Sequence, residues 1–395
     1  MAEVAPTVVQ KYGGSSVADV AKIHKVAEQI AATRRAGKRV VAVVSAMGKT
    51  TDQLMKLAHE VSASPDRREL DMLLTAGERI SMALVAMAVR DQGFAATSLT
   101  GSQCGILTND APGGARIVEV RPFRVQDALD QGHVVIVAGF QGTSWRREIT
   151  TLGRGGSDTT AVALAAALGA ECEIYSDIDG IYSADPRTVH DARRLDQLSH
   201  DETLALARAG AKVLAADAVA YARLHGIALY ARKTGSESGE SVVRVDAPSL
   251  RPWVVGVAQR PNTVLIQTPM SEFNMLHAIV EHFALVPVVE LAGPTCTLLL
   301  ARDVADAVDP AFDQALAQIA AAVSPQSLQR GTLVSIVGPA VGREPGLTKQ
   351  FAQLLSHWTT TWLAHGLTLS ALLPPEHADA AVRLLHRHFV AGEGA

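Results

Sequence analysis

A glycine-rich run that leads directly into a helix of small residues is the feature that most constrains this chain. Residues 153–160 read Gly-Arg-Gly-Gly-Ser-Asp-Thr-Thr, and an alanine-rich stretch follows over residues 161–168. Glycines permit the backbone conformations of tight turns, and the Ser-Asp-Thr triplet offers three suitable helix N-caps. A helix N-terminus attracts phosphate or carboxylate, and Arg154 adds a planar cation that suits either anion. A plain helix cap explains the run equally well on its own.

Two further loops of this kind precede the run. A β-prone segment, residues 7–10, leads into Lys11–Ser16 and then into an amphipathic helix over residues 20–35. The lysine comes before the glycines, so this loop matches neither a Walker P-loop nor a G-x-G-x-x-G dinucleotide turn. The continuous apolar run 39–45 predicts a buried parallel strand, which ends in a polar loop over residues 45–52. Ligands of open α/β sheets collect at the carboxyl ends of such strands.

The order of strands and helices predicts the fold class and the domains. Strands and helices alternate up to about residue 250, which indicates a mostly parallel sheet with helices on both faces. Beyond that point two similar β-α-β-β-α units follow each other. We therefore predict an α/β catalytic domain over residues 1–247 and two small α+β domains over residues 248–328 and 329–395. Within the first domain, helices are predicted at residues 73–89 and 210–214, among others.

Composition narrows the class of protein. Aromatic residues make up only 4% of the chain, and the net charge is −4 with no basic run, which argues against a nucleic-acid partner. Cys104, Cys172 and Cys296 are too widely spaced for a zinc site or a disulfide framework and fit a reducing compartment. Neither a signal peptide nor an apolar run of roughly 20 residues is evident. We expect a cytoplasmic protein with no membrane partner.

The chemistry of the three loops favours phosphoryl transfer. They combine a lysine, an arginine and several carboxylates, without a metal-ligand cluster or a Ser-His-Asp arrangement. Phosphoryl transfer depends on positioning and on positive charge near the transferred group, and little covalent chemistry is required of the protein. Magnesium can be held largely by nucleotide phosphates and water. The residues therefore predict a kinase of a small anionic substrate that uses ATP and Mg²⁺ and has no metal site of its own.

Five segments, in matching order and spacing, resemble the motifs of the aspartate kinase family. They are Lys11–Asp19, Val44–Gly48, Leu74–Arg79, Thr151–Asp158 and Ile174–Arg187. The bacterial enzymes with one kinase domain and two C-terminal ACT domains are the most similar. The resemblance implies an amino-acid kinase fold, a carbamate kinase-like α/β/α sandwich, followed by two ACT-like domains. It also implies transfer of the ATP γ-phosphoryl group to the β-carboxylate of L-aspartate, giving 4-phospho-L-aspartate.

The same resemblance implies a role for each matching residue. Lys11 would stabilise the charge of the transferring group, and Asp158 would orient Lys11. The substrate-binding positions would be Ser45, Thr51, Glu78, Arg154, Gly155, Gly156 and Ser157. Among them, Glu78 would bind the α-ammonium group and Arg154 a carboxylate. ATP-binding positions would be Lys11, Tyr12, Gly13, Gly14, Ser176, Asp177, Tyr182, Ser183, Ala184, Asp185, Pro186, Arg187 and Lys212. Taken one at a time, these residues have simpler explanations. Glu78 and Arg79 also fit a solvated charge pair on a helix surface, and Asp177, Asp179 and Asp185 also fit residues that form turns.

The C-terminal half resembles the family only loosely. Thr268-Pro269-Met270-Ser271 stands where an Asp-x-Pro-Gly turn is typical, and the second unit, which keeps Pro345-Gly346, is degenerate. We therefore expect weak or absent inhibition by lysine and threonine. The resemblance still implies a homodimer or larger homo-oligomer formed through this half. His377, His386 and His388 match nothing in the family and are predicted to lie on a solvated helix face.

Two alternatives stay open at this point. Another amino-acid kinase, acting on acetylglutamate or glutamate, shares the fold and the anion-binding loops. A regulatory subunit without catalytic activity is the second alternative, although the intact Lys11, Arg154 and Asp158 argue against it. The product would enter the synthesis of lysine, threonine and methionine, or of a specialised aspartate-derived metabolite.

Overall fold

The chain divides into two compact units. The computed structural model describes residues 5–153, 155–236, 239–245, 253–283, 288–292, 294–301, 310–323, 327–359 and 361–392. The first unit comprises residues 1–181, 194–204 and 213–248, and the second comprises residues 182–193, 205–212 and 249–395. Two short segments that precede residue 247 thus belong to the second unit. This division is coarser than the three predicted domains, whose boundaries stay predictions.

An open sheet forms the centre of the first unit. The strands up to residue 248 are β1 (Thr7–Tyr12), β2 (Arg39–Val44), β3 (Ala96–Leu99), β4 (Ile106–Thr108), β5 (Ile117–Val120), β6 (Val134–Ala138), β7 (Gln141–Ser144), β8 (Ile149–Thr151), β9 (Glu171–Ser176), β10 (Gln197–Leu198), β11 (Leu229–Lys233) and β12 (Glu240–Val243). Eight of them form a sheet in the order β10-β12-β11-β9-β1-β2-β6-β3, parallel except between β11 and β12. The predicted, mostly parallel sheet is confirmed.

Helices cover both faces of this sheet. The helices up to residue 248 are α1 (Val20–Arg35), α2 (Thr50–Val61), α3 (Arg67–Asp91), α4 (Phe123–Asp130), α5 (Gly156–Leu168), α6 (His200–Arg208) and α7 (Ala216–His225); the last four residues of α6 belong to the second unit. α1 and α3 bury Ile23, Ile30 and Val89 against one face, where Val40 and Ile136 lie in the same core. α5 packs against β1, β2 and β9 with residues 160–165 fully buried, which explains its alanine-rich sequence.

The structure departs from the predicted elements at several places. Residues 210–214 form turns and bends, and the helix predicted there is wrong. A second sheet, in the order β5-β4-β7-β8, was not predicted, because its strands are only three or four residues long, too short to show a clear alternation. α3 is long and apolar enough to cross a membrane, but half of its apolar stretch is buried within the protein, as in the core helix of a globular unit.

The second unit is an α+β layer built on a single sheet. Its strands are β13 (Gly256–Pro269), β14 (Val288–Ala292), β15 (Thr295–Ala301), β16 (Ser327–Val337), β17 (Trp362–His365) and β18 (Thr368–Leu373). Its helices beyond residue 250 are α8 (Phe273–His282), α9 (Pro310–Ala322), α10 (Pro345–Leu355) and α11 (Pro375–Phe389). Both β-α-β-β-α repeats are confirmed. They share one antiparallel sheet, β14-β15-β13-β16-β18-β17, because β13 pairs with β16.

Candidate active site

Lys11 and Asp158 meet at the carboxyl edge of the large sheet. Lys11 lies near the end of β1, and Asp158 lies in the first turn of α5. The Lys11 Nζ atom is 2.6 Å from Asp158 Oδ1, and each side chain is 13% exposed. The second oxygen, Asp158 Oδ2, accepts a long hydrogen bond of 3.4 Å from the Ala215 amide. The carboxylate therefore holds the ammonium group of Lys11 at the edge where the loops converge.

The glycine loops bring backbone close to this ion pair. Gly155 is the N-cap of α5 at φ +69°, and no side chain caps the helix, so the predicted Ser157, Asp158 or Thr159 cap is wrong. A Cβ at Gly155 would lie 2.2 Å from the Ala215 Cβ, and one at Gly14 would lie 2.9 Å from the Ala46 carbonyl oxygen. Larger residues do not fit at either position. The Gly156 and Asp158 amides donate to the Gly153 and Gly155 carbonyl oxygens, so the partial positive charge of the helix start, more than free amides, favours an anion here.

Glu78 lies buried on α3 beside the loop that follows β2. Its side chain is 3% exposed, and Oε1 accepts a hydrogen bond of 3.1 Å from the Ala46 amide. Oε2 is buried and has no hydrogen-bond partner among the residues that the structure describes. Burial raises the pKa of Glu78 to about 7. The surface-pair explanation of this motif is wrong, and an unsatisfied buried carboxylate oxygen is suited to receive a ligand's cation.

Gly77 explains how α3 approaches this loop so closely. A Cβ at Gly77 would lie 2.8 Å from the Ala46 Cβ. One turn later, the Ser81 hydroxyl donates a hydrogen bond of 2.7 Å to the Ser45 carbonyl oxygen. The glycine in the first half of the helix is therefore a packing requirement that places Glu78 next to the loop.

Asp71 is a residue of this site that sequence reasoning missed. It lies seven residues before Glu78 on the same face of α3 and is fully buried. Its carboxylate accepts hydrogen bonds from the Thr151 hydroxyl (2.6 Å), the Thr151 amide (3.0 Å) and the Gly113 amide (3.0 Å). Burial raises its pKa, and these three donors oppose the shift. Asp71 thus fastens the end of β8, from which the glycine-rich run begins, to α3.

We expect the substitution Asp71→Asn to lower the free energy of unfolding by about 1–3 kcal/mol, because one acceptor oxygen becomes an NH₂ group facing buried donors. Chemical denaturation of the two proteins measures the difference. Asp66→Asn is the matched control, since exposed Asp66 caps the same helix and asparagine caps equally well. Equal stability of Asp71→Asn and the unmodified protein would contradict the clamp.

The remaining predicted residues of the first unit lie at or near the same edge. Ser45 follows β2 directly, and its amide donates to the Tyr12 carbonyl oxygen. Thr51 lies in the first turn of α2 and is half-buried. Tyr12 is fully buried with its ring stacked on Tyr175, at 5.0 Å between centroids. Its side chain therefore belongs to the core, and only its backbone borders the loops. Ser157 is 8% exposed, within the first turn of α5.

Two more predicted residues lie at the end of β9, at the same edge of the sheet, and the others belong to the second unit or fall outside the description. Ser176 ends β9, where its hydroxyl accepts a hydrogen bond from the Ile178 amide, and Asp177 is exposed beside it. Tyr182–Arg187 and Lys212 belong to the second unit. Within that unit Arg187 forms an ion pair with Asp185. The pKa of the Asp185 carboxyl is lowered mainly by Arg187 and to a smaller extent by Lys212. The prediction for Arg154 falls outside the described residues.

Known proteins match the chain over nearly its whole length. A model of the amino acid kinase family matches residues 6–231. The aspartokinase of Mycobacterium tuberculosis is 43% identical over 406 residues, which cover 98% of this chain and 96% of the relative. The chain belongs to the aspartate kinase family. The aspartokinase of Thermus thermophilus, another member, is 40% identical over 401 residues, covering 97% of this chain and 98% of the relative.

Solved structures support the fold of this family member. The crystal structure of Escherichia coli aspartokinase III in complex with aspartate and ADP matches with a TM-score of 0.82. The match covers 96% of this chain and 99% of the other at 24% identity. The amino-acid kinase fold, followed by α+β repeats, is therefore confirmed. Family membership also identifies the chain as an enzyme of the aspartate kinase type, which decides against a non-catalytic subunit.

Proposed function

We propose that the chain transfers the γ-phosphoryl group of ATP to the β-carboxylate of L-aspartate and releases 4-phospho-L-aspartate. The observation that carries the proposal is the Lys11–Asp158 pair, 2.6 Å apart at the uncapped start of α5. The similarity to an aspartokinase that was solved with aspartate and ADP supports this pair of substrates.

Lys11 supplies the positive charge in this mechanism. Negative charge gathers on the transferred group and on the oxygens it passes between, and a fixed ammonium stabilises it. Asp158 keeps Lys11 in place through the ion pair. The attacking carboxylate is ionised near pH 7, so the reaction needs no general base. This agrees with the absence of a histidine among the residues predicted for the site.

Aspartate binding divides between two walls. On one wall, Glu78 Oε2, which has no hydrogen-bond partner within the described ranges, would accept the α-ammonium group. On the other, the amides at the start of α5, with Gly155, Gly156, Ser157 and Arg154, would hold the substrate carboxylates. Ser45 and Thr51 would line the space between them. A site with a negative wall and a positive wall at a fixed separation favours an amino acid over a dicarboxylic acid that lacks the ammonium group.

The nucleotide would use loops whose geometry favours anions. Gly13 and Gly14, in the loop that follows Lys11, would border the phosphates, and Ser176 and Asp177 would bind nearby. For Tyr182, Asp185, Pro186, Arg187 and Lys212 the proposed contact with ATP rests on the family resemblance, and the buried Ser183 and Ala184 would act through these neighbours. A magnesium ion would be held mainly by phosphate oxygens and water. When bound, Mg²⁺ would neutralise part of the phosphate charge.

A hydroxylamine assay tests the proposal directly. The protein, ATP and Mg²⁺ are incubated with one amino acid at a time, and an acyl phosphate is trapped as its hydroxamate. A signal with aspartate alone is expected. A signal only with N-acetylglutamate or glutamate would assign a different amino-acid kinase, and no signal with any of the three would overturn the proposal.

We also propose a cytoplasmic location, a homodimer or larger homo-oligomer formed through the C-terminal unit, and a role in lysine, threonine and methionine synthesis or in a specialised pathway. The outer strands β14 and β17 of the six-stranded sheet have edges that a second copy can extend. Sedimentation or light scattering measures the oligomer directly.

We expect lysine and threonine together to inhibit the enzyme weakly or not at all. In the atypical turn at the end of β13, polar side chains bind each other: the buried Thr268 hydroxyl donates a hydrogen bond of 2.6 Å to Glu272 Oε2. Fewer groups are then available to an amino-acid effector. Rates at saturating lysine plus threonine measure the effect, and strong inhibition would contradict the expectation.

A further inference from the structure

Ser183 fixes the segment for which the proposed function predicts nucleotide contacts. It is fully buried in the second unit, one residue after Tyr182 and two residues before Asp185. Its amide donates to the Arg193 carbonyl oxygen at 2.9 Å, and its carbonyl oxygen accepts the Val257 amide at 2.7 Å. Its hydroxyl oxygen accepts the Arg193 amide at 3.0 Å. Every polar group of Ser183 is therefore used inside the protein.

The remaining hydrogen bond of this hydroxyl goes to a histidine more than 200 residues away in the chain. His386 Nε2 lies 2.9 Å from Ser183 Oγ. The Arg193 amide already occupies one lone pair of Oγ, so the hydroxyl proton is free to be donated to a neutral His386 ring with its own proton on Nδ1. Burial lowers the pKa of His386, which favours this neutral form.

The position of His386 is unfavourable for a histidine if only stability is considered. His386 is 1% exposed on α11, so the prediction of a solvated helix face is wrong for this residue. It adjoins an apolar cluster that includes Phe351, Val382 and Leu385, and that cluster also takes up Ala184 from the same segment as Ser183. Its Nδ1 atom is buried and has no hydrogen-bond partner in the described part of the chain; Asp191 Oδ1 lies 4.0 Å away. An apolar residue would avoid that desolvation cost.

We propose that His386 is a positioning residue that holds Ser183 and thereby presents Tyr182–Arg187 to the nucleotide. The inference rests on the proposed function, because that function supplies the nucleotide role of the segment. The anchored Ser183 supports an exposed turn in which Arg187 Nε and the Arg187 amide both bind Asp185 Oδ1, at 2.9 and 3.0 Å. Ser183 then acts on ATP through its neighbours, without direct contact.

The test is steady-state kinetics of the full-length enzyme with His386→Leu. Loss of the hydrogen bond is expected to raise the KM for ATP about five- to tenfold. The KM for aspartate should stay within twofold. The melting temperature should change little, because a leucine in the apolar cluster offsets the loss of the buried Ser183 hydrogen bond. His386→Gln, whose side-chain oxygen can accept the Ser183 proton, should restore most of the ATP affinity. An unchanged KM for ATP in His386→Leu overturns the inference.

A double-mutant cycle and a matched control separate positioning from other effects. Ser183→Ala should raise the KM for ATP at least as much as His386→Leu, because it also removes the acceptor of the Arg193 amide. The double variant should be no worse than Ser183→Ala alone. A double variant with a clearly higher KM for ATP than Ser183→Ala would mean that the two residues act independently and would overturn the inference. His377→Leu is the control, because His377 lies on the same helix and stacks on Trp358.

Hydrogen exchange keeps this inference distinct from the proposed function. In His386→Leu, amides of residues 182–193 should exchange faster while the remainder of the chain is unchanged. This readout needs no turnover. If the unmodified protein gave no aspartate hydroxamate, the proposed function would fail, yet exchange would still decide whether His386 anchors the segment. Unchanged exchange over these residues would overturn the anchor.

Discussion

Lys11→Met is expected to reduce kcat/KM about 10²- to 10³-fold, because the substitution removes the charge that faces the transferring phosphoryl group. The hydroxamate assay measures the loss with aspartate as substrate. The substitution also leaves Asp158, only 13% exposed, without its partner ammonium. We therefore expect a loss of roughly 1–3 kcal/mol in the free energy of unfolding as well.

The double variant Lys11→Met, Asp158→Asn separates these two effects. It removes both charges, so most of the stability should return, while the activity stays lost. Lys22→Met is the control for a general effect of losing a lysine, since Lys22 is exposed on α1. A stable Lys11→Met enzyme with activity within tenfold of the unmodified protein would contradict the catalytic role.

The parts of the fold that the sequence predicts are those with a strong local pattern. The continuous apolar run of β2 and the glycine turns after β1 follow from hydrophobic periodicity and backbone freedom, and both strand and loop are confirmed. The unpredicted sheet of β4, β5, β7 and β8 consists of short strands, and β4 pairs with β7 across more than 30 residues of chain. None of the residues of α2 is fully buried, so its sequence shows only a polar and an apolar side and no core positions.

The same limit applies to the candidate site. Lys11, Glu78 and Asp158 stand out because each lies in a recognisable motif: Lys11 and Asp158 beside a strand or helix end, and Glu78 next to a glycine inside a helix. Asp71 and His386 do not stand out, since their partners are 80 and 203 residues away in the chain. A buried carboxylate or imidazole without local partners gives no signal until the tertiary fold is known.

Glu78→Gln is expected to raise the KM for aspartate about 10- to 100-fold, because a neutral amide cannot pair with the substrate's α-ammonium group. With the pKa of Glu78 raised to about 7, the carboxylate is only partly ionised at neutral pH. In the unmodified enzyme, kcat/KM for aspartate should therefore rise as the pH increases through about 7. The variant should lack that dependence, and its KM for ATP should stay nearly constant.

Stability should respond in the opposite direction. Burial raises the pKa of Glu78 from 4.5 to about 7, so between these values the folded protein binds a proton that the unfolded chain has lost. The free energy of unfolding therefore falls as pH rises across this window, by roughly 3 kcal/mol in full, and levels off above it. Glutamine does not titrate, so the melting temperature of Glu78→Gln should increasingly exceed that of the unmodified protein from pH 5 to pH 8.

The opposed effects distinguish a ligand-binding carboxylate from a structural one. Glu69→Gln, an exposed position on the same helix that pairs with Arg68, should change neither the KM nor the pH dependence of stability. A structural Glu78 would lose stability on substitution and leave aspartate binding intact. Weaker aspartate binding in a protein that melts higher at pH 8 is the result that only the ammonium-binding role explains.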